Sequence, residues 1–231
     1  MDFQLGEILL VDKALEWTSF DAVNKIRWNL KRKLGVKKIK VGHAGTLDPL
    51  ATGLLIICTG KKTKEIMQIQ AEEKCYTGTF LLGKTTPSYD LETDFDQEFP
   101  IEHIDQQLLE EVRASFLGTQ LQKPPVFSAK QIDGKRAYDL ARAGKVPDLK
   151  SNEIHIEKFE IDASNFPEIS FQIQCSKGTY IRSIAHDFGQ KLHSGATLTS
   201  LRRTRSGNYD VRDARSVEEW VQIIQEIEVS D

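Results

Sequence analysis

The sequence predicts an α+β fold. Strand-like runs occur early, midway and late in the chain, and helical periods lie between them. The two alternate without the regular strand–helix–strand rhythm of a doubly wound parallel sheet. Glu7-Ile8-Leu9-Leu10-Val11-Asp12-Lys13 reads as a buried strand. Thr18 or Ser19 offers a helix cap; Ala22, Ile26, Leu30 and Leu34 then recur every four residues along one face, and Gly35 is placed to end the helix. After a Gly-rich segment, the apolar run Leu54-Leu55-Ile56-Ile57-Cys58 reads as a core strand, and Tyr76 to Leu82 has β-forming composition with partial alternation. Ile104 to Phe116 is helical in pattern. Lys123-Pro124-Pro125-Val126-Phe127 must be extended, because proline fixes its own φ and restricts the residue before it. Arg136 to Ala143 fits a short helix closed by Gly144. Strands follow around His155 to Ile161 and Ile169 to Cys175. A helix from about Ile181 to Leu192 would turn Ile181, Ile184, Ala185, Phe188 and Leu192 inward, and a last helix spans Val217 to Ile227.

Length and composition narrow the function. A chain of 231 residues suits one domain, 1–231, with at most a small appendage. No apolar run approaches the roughly 18 residues of a membrane span. The N-terminus lacks the basic start and small-residue cleavage site of a signal peptide, and three scattered cysteines fit a reducing cytoplasm, where the protein is expected. Cys58, Cys75 and Cys175 lie far apart with no C-x-x-C pair, against both a disulfide framework and a structural zinc site. The net charge of −3 averages two opposed regions. Asn24 to Lys64 holds eleven Lys and Arg and a single acid, Asp48, whereas Asp90 to Glu111 holds nine acids and no Lys or Arg. The first region has the charge to track phosphates; the second is expected to face solvent, away from any nucleic acid.

The chemistry concentrates between Gly42 and Gly53. Three glycines and a proline in twelve residues imply a tightly shaped loop. Within it Asp48 sits among apolar Leu47 and Leu50 in the most basic part of the chain. Positive surroundings favour the charged carboxylate, which can act as nucleophile or base; an Asp that caps a turn fits the same spacing. Phosphate-loop readings fail: Gly60-Lys61-Lys62-Thr63 resembles the end of a Walker motif, but Leu55 stands where its first Gly belongs, and no G-x-G-x-x-G follows a strand. The five histidines are scattered, His186 and His193 read as surface residues of one helix, and no metal site is evident.

His43-Ala44-Gly45-Thr46-Leu47-Asp48-Pro49-Leu50-Ala51-Thr52-Gly53 closely resembles the signature of the TruB family of tRNA pseudouridine synthases. Four further blocks resemble that family in its order. They are Thr18-Ser19-Phe20-Asp21-Ala22-Val23, then Lys123 to Ala129 with Gly134-Lys135-Arg136-Ala137-Tyr138, then Lys177 to Ser183, and finally Leu198 to Arg205. The resemblance implies the pseudouridine synthase catalytic fold, a mixed, mainly antiparallel central sheet flanked by helices, with a thumb-like RNA-contacting insertion over about 121–149.

It also implies roles. Asp48 would be the catalytic nucleophile, Arg182 its guanidinium partner, and Tyr76 the ring that stacks on the target uracil. Tyr180 and Leu201 would line the pocket, His43 would fill the space vacated by the flipped base, and Lys64 matches a basic position after the active-site strand. The implied substrate is the T arm of tRNA, with uridine-55 as target. The basic Asn24–Lys64 region, Arg136, Arg142, Lys145 and Arg202, Arg203 and Arg205 would follow its phosphates. Isomerisation involves no net oxidation or group transfer, so no cofactor is expected; no protein partner is implied, and a monomer is the default.

Two departures stand out. The family usually shows a Pro and a Gly between Lys13 and Trp17, where this chain has Ala14-Leu15-Glu16. Many relatives continue into a C-terminal RNA-binding module of the PUA type, for which the 26 residues from Ser206, with five acids after Arg215, are too few and too acidic. Competing readings are a guide-RNA-dependent pseudouridine synthase subunit, a non-catalytic RNA-binding protein and a base-excising glycosylase.

Overall fold

A computed structural model describes residues 1–127 and 149–228, together with the backbone of 131–132 and 135–136. In chain order the elements are strand β1 (Ile8–Lys13), helix α1 (Ser19–Lys33), β2 (Val41–His43), β3 (Ala51–Thr59), α2 (Ile66–Ala71), β4 (Lys74–Leu82), β5 (Lys84–Thr85), β6 (Gln97–Glu98), α3 (Gln106–Ala114) and β7 (Gly118–Gln122). They continue with β8 (Gln131–Ile132), β9 (Lys135–Arg136), β10 (Asn152–Asn165), β11 (Glu168–Cys175), α4 (Ile181–Lys191), β12 (Ala196–Ser206), β13 (Tyr209–Asp210) and α5 (Val217–Glu226). The expected helix over Arg136 to Ala143, with Arg142 and Lys145, lies outside the described residues apart from the backbone of Arg136 in β9. Most of the 121–149 insertion lies outside them too.

The chain divides into two compact units, the first Met1–Tyr76 with Leu201–Asp231 and the second Thr77–Ser200. In the first, β1 and β2 lie antiparallel to β3, and β12 lies parallel to β3, with Leu201 opposite Ala51. The run Leu54–Cys58 is apolar at every position because both faces of β3 are covered. Leu55 and Ile57, with Leu9 and Val11 of β1, pack under α1 and α5, against Ala22, Ile26 and Trp220. Leu54, Ile56 and Cys58 face the other way, onto Ala44 and Ile69 of α2. Each fully buried Leu or Ile contributes about 1.5–3 kcal/mol over leaving it exposed. α1 begins with a capping box in which the Thr18 side chain accepts from the Asp21 amide and the Asp21 carboxylate accepts from the Thr18 amide. Gly35, at φ +64°, closes it.

The segment between Lys13 and Trp17 holds a residue in an unfavourable conformation. Glu16 has φ +66°, in the left-handed region that costs an ordinary residue about 1–2 kcal/mol, and its amide donates to the Pro49 carbonyl at 2.9 Å. Replacing Glu16 with Gly relieves that strain and adds about 0.5–1 kcal/mol of unfolded-chain entropy cost. Glu16→Gly therefore stabilises the protein by about 0.5–1 kcal/mol and raises Tm by about 1–4 °C in scanning calorimetry. An unchanged or lower Tm would show that the backbone there carries no strain.

In the second unit the strand order is β12–β4–β11–β10–β7. Its core is aromatic: Phe80 stacks on Phe171 with ring centroids 4.3 Å apart, and Phe188 of α4 and Phe159 of β10 sit against Phe80 at 5.8 and 6.4 Å. The inward face expected for the helix after Tyr180 is the one observed, with Ile181, Ile184, Ala185, Phe188 and Leu192 all buried. The acidic stretch departs from expectation. Asp90 is buried, and the Asp96 carboxylate accepts from Thr85 Oγ1 at 2.7 Å, so this stretch is not simply a solvated face.

Candidate active site

In the first unit, the chain leaves β2 at His43, passes Gly45 and re-enters the sheet at Ala51, leaving Asp48 half-buried on the connecting loop. Hydrogen bonds fix the loop on both sides of Asp48. The Leu47 amide donates to Ser19 Oγ at 2.8 Å, and the same hydroxyl donates to the Leu47 carbonyl at 3.0 Å. The Ala51 amide donates to the Asp48 carbonyl at 3.0 Å, closing the turn after it. At the end of the motif Gly53 has φ +98°, and a Cβ there would lie 2.3 Å from the Arg203 carbonyl oxygen.

Two cations lie beneath this loop. Lys13 is fully buried, and its Nζ donates to the carbonyls of Ala14 at 2.9 Å, Trp17 at 2.6 Å and Pro49 at 3.4 Å. Burial pulls its pKa down to about 8; the negative charge of Asp48 opposes that shift and the positive charge of Arg203 adds to it. Arg203 is buried as well, donating through Nε to the Leu54 carbonyl at 2.7 Å and through Nη2 to the Gly45 carbonyl at 3.1 Å. This corrects its expected role on the phosphates: Arg203 ties the motif's loop to β3. Its neighbours are engaged too, Arg202 with both carboxylate oxygens of Asp12 at 3.0 and 2.7 Å, and Arg205 with Cys75 Sγ at 3.3 Å. Arg202 remains partly exposed.

Of the other expected site residues in this unit, Tyr76 and Leu201 are half-buried against the apolar cluster that contains Leu47 and Ala51. His43 is half-buried, and its buried Nδ1 makes no hydrogen bond of ordinary geometry among the described residues, the Gly45 backbone lying nearby. Burial, and next the charge of Arg203, lowers its pKa, so the ring is neutral near pH 7. Lys64 is exposed in the 3-10 turn Gly60–Glu65 that follows β3. Ala51 opens that strand and Lys64 follows its end, and a nine-residue strand spans roughly 25–30 Å.

In the second unit, the start of α4 carries Tyr180 and Arg182. The Gln122 side chain clasps Tyr180, accepting from its amide at 2.8 Å and donating to its carbonyl at 2.9 Å. Ser183 Oγ donates to the Lys123 carbonyl at 2.8 Å, and Arg182 Nη1 donates to the Phe127 carbonyl at 2.8 Å. The proline-containing segment 122–127 is thus anchored to α4 at three points. Arg182 is buried, and its Nε lies 3.5 Å from Asp90 Oδ2, both side chains less than 8% exposed. Asp90 was not recognisable in the sequence, being one acid among nine; Lys13 and Gln122 likewise carry no motif of their own. Among the described residues, no cluster of His, Cys, Asp and Glu is arranged to hold a metal ion, and no helix is long and apolar enough to cross a membrane.

The model for the TruB family pseudouridylate synthase N-terminal domain matches residues 31–181, and that for the tRNA pseudouridylate synthase B C-terminal domain matches residues 182–228. The chain belongs to the TruB family. Among its relatives, a tRNA pseudouridine synthase B of Flavobacterium johnsoniae is 57% identical over 210 residues, covering 90% of this chain and 92% of that one. One of Phocaeicola vulgatus is 54% identical over 231 residues, covering 100% and 98%. Among solved structures, a chain in a Cbf5-Nop10-Gar1 complex is similar with a TM-score of 0.70 and 25% identity over 95% of this chain, which spans 54% of that chain's length. The TruB-family chain therefore has the expected fold: a mixed sheet with flanking helices.

Proposed function

We propose that this TruB-family protein isomerises uridine-55 in the T loop of tRNA to pseudouridine, with Asp48 as its nucleophile. Relatives named tRNA pseudouridine synthase B, matched over nearly their whole length, support the reaction and the substrate. The observation that supports the role of Asp48 is its position on a loop whose backbone is hydrogen-bonded on either side of it, so that the residue's backbone is held in place before substrate arrives.

The target base leaves its stack, at a cost of a few kcal/mol that is smallest in a loop, and Tyr76, Tyr180 and Leu201 receive it; stacking returns about 1–3 kcal/mol per base. His43, whose pKa is lowered by burial so that the ring is uncharged near pH 7, fills the vacated space. The N1–C1′ bond breaks, the uracil turns and C5 bonds to C1′. The C5 hydrogen passes to water and N1 takes up a proton, so the overall change is an isomerisation. Asp48 serves this sequence by attacking C1′ or the ring, or by removing a sugar proton, and Arg182 is its cationic partner, as the family's arginine motif implies. Lys64 and the basic Asn24–Lys64 region carry phosphates. The protein acts in the cytoplasm as a monomer, without a cofactor, guide RNA or protein partner.

The test uses tRNA tritiated at uridine C5. Wild-type protein is expected to release about one equivalent of tritium per tRNA into water, and a T-loop uridine→cytidine change to abolish the release. Persistent release from the cytidine variant would place the target elsewhere; free uracil would make the protein a glycosylase; intact binding without release would favour the guide-dependent or binding-only readings.

A further inference from the structure

Two adjacent residues of one loop dock on two positions a single turn apart on α4. Asp90 meets Arg182, and Tyr89 meets His186. The Tyr89 and His186 rings stack with centroids 4.0 Å apart and planes 16° apart. His186 is thus not the surface residue expected from sequence: its Nδ1 is buried and makes no hydrogen bond among the described residues, and its ring stacks on Tyr89. Tyr89 is held at φ +68°, a left-handed backbone that a bulky aromatic residue rarely adopts. An outlier of this kind persists where its surroundings over-determine it.

The loop is built to present the Asp90 carboxylate. Thr86 Oγ1 and Ser88 Oγ both donate to the Asp90 carbonyl, at 2.6 and 3.1 Å, and the Glu92 amide donates to Asp90 Oδ1 at 3.0 Å. The Leu198 amide donates to the Tyr89 carbonyl at 2.9 Å, tying the loop to β12. The Nε–Oδ2 distance of the ion pair, 3.5 Å, is longer than the roughly 2.7–2.9 Å of a charge-assisted hydrogen bond, so a second contact between the loop and the helix bears on its alignment. The ring stack, one helical turn along, is a second point at which the loop meets α4.

We propose that Tyr89 is a positioning residue for the reaction: stacked on His186, it holds Asp90 at the guanidinium of Arg182 and so sets that arginine's direction. The inference rests on the reading of Arg182 as catalytic machinery. It concerns the aim of a group rather than affinity for RNA, so its signature lies in kcat.

The test exploits the strained backbone. Tyr89→Gly removes the ring and relieves the positive φ together, so a merely structural tyrosine would leave kcat unchanged and the fold no less stable. The expected result is a kcat roughly tenfold lower at unchanged KM for tRNA and unchanged Tm, since small misplacements of catalytic groups cost up to about a hundredfold. His186→Ala should match it, the double variant should be no slower than either single variant, and Tyr89→Phe, which keeps the stack, should restore most of the rate. Tyr89→Asn, which tolerates positive φ, repeats the test should the glycine variant fold poorly. Wild-type kcat in Tyr89→Gly, a change confined to KM, an impaired Tyr89→Phe, or a rate loss that merely tracks the lost folded fraction would overturn the inference. Absence of tritium release from wild-type protein would instead defeat the reading of the reaction, and this inference with it.

Discussion

Asp48→Asn is expected to release tritium from C5-labelled tRNA at least roughly 10³-fold more slowly than wild type, the scale on which enzymes lose rate when a nucleophile is removed. The substitution is close to isosteric and leaves the loop's backbone scaffold untouched. The Leu47 bonds to Ser19 and the Ala51 amide bond to the residue-48 carbonyl do not involve the side chain. Tm should consequently move by no more than about 1–2 °C, in line with other substitutions that leave packing intact. Affinity for tRNA should hold or rise slightly, because a negative charge near a polyanion has been removed. Loss of rate with fold and binding preserved assigns chemistry to the carboxylate. An Asp48→Asn protein that still releases tritium at a tenth of the wild-type rate would disqualify Asp48 as nucleophile.

Gly53→Ala is expected to cause the largest loss of stability of any single methyl group added in the motif. The new Cβ would lie 2.3 Å from the Arg203 carbonyl oxygen and 2.9 Å from its amide nitrogen, both backbone atoms of the strand paired with β3. Backbone in a sheet cannot swing aside as a side-chain tip can, and φ +98° is itself hostile to a Cβ. Overpacking and strain together point to a loss of about 3–5 kcal/mol, or roughly 6–20 °C in Tm. Gly45→Ala is the internal control. Its Cβ would meet only the Arg203 guanidinium at 3.5 Å, an ordinary contact, leaving the φ +105° conformation as its sole penalty. Denaturant unfolding of the two variants should rank Gly53→Ala well below Gly45→Ala; equal losses would show that φ rather than close approach governs both positions.

The elements legible in the sequence were those with long, single-period patterns. α1, α4 and α5 each repeat an apolar face, β1 and β3 are apolar runs, and their observed bounds lie within a few residues of those expected. β12 carries no strand signal in the sequence, because Ala196–Ser206 is rich in Thr, Ser and Arg and shows no clear apolar alternation. It is a strand because β3, β4 and β13 pair with it, the parallel pairing with β3 at Leu201–Arg203 carrying Arg203 inward, where the carbonyl oxygens of Leu54 and Gly45 receive it. Short strands such as β2 and β5 likewise exist only through partners distant in sequence.

The sequence by itself determined the family, the Gly-rich loop and the acid it carries, because those depend on residue types at fixed local spacing. Only the tertiary structure decided which charges work and which are solvated. Asp90 was one acid in a run of nine until the fold buried it beside Arg182, and Arg203 was one of three clustered basic residues until β12 turned it beneath the loop. Tyr89 and His186, 97 positions apart, became a pair in the same way. The physical reason is common to all three: a charge or ring acquires its role from burial and from the partner it meets. Both are properties of long-range packing that local periodicity does not encode.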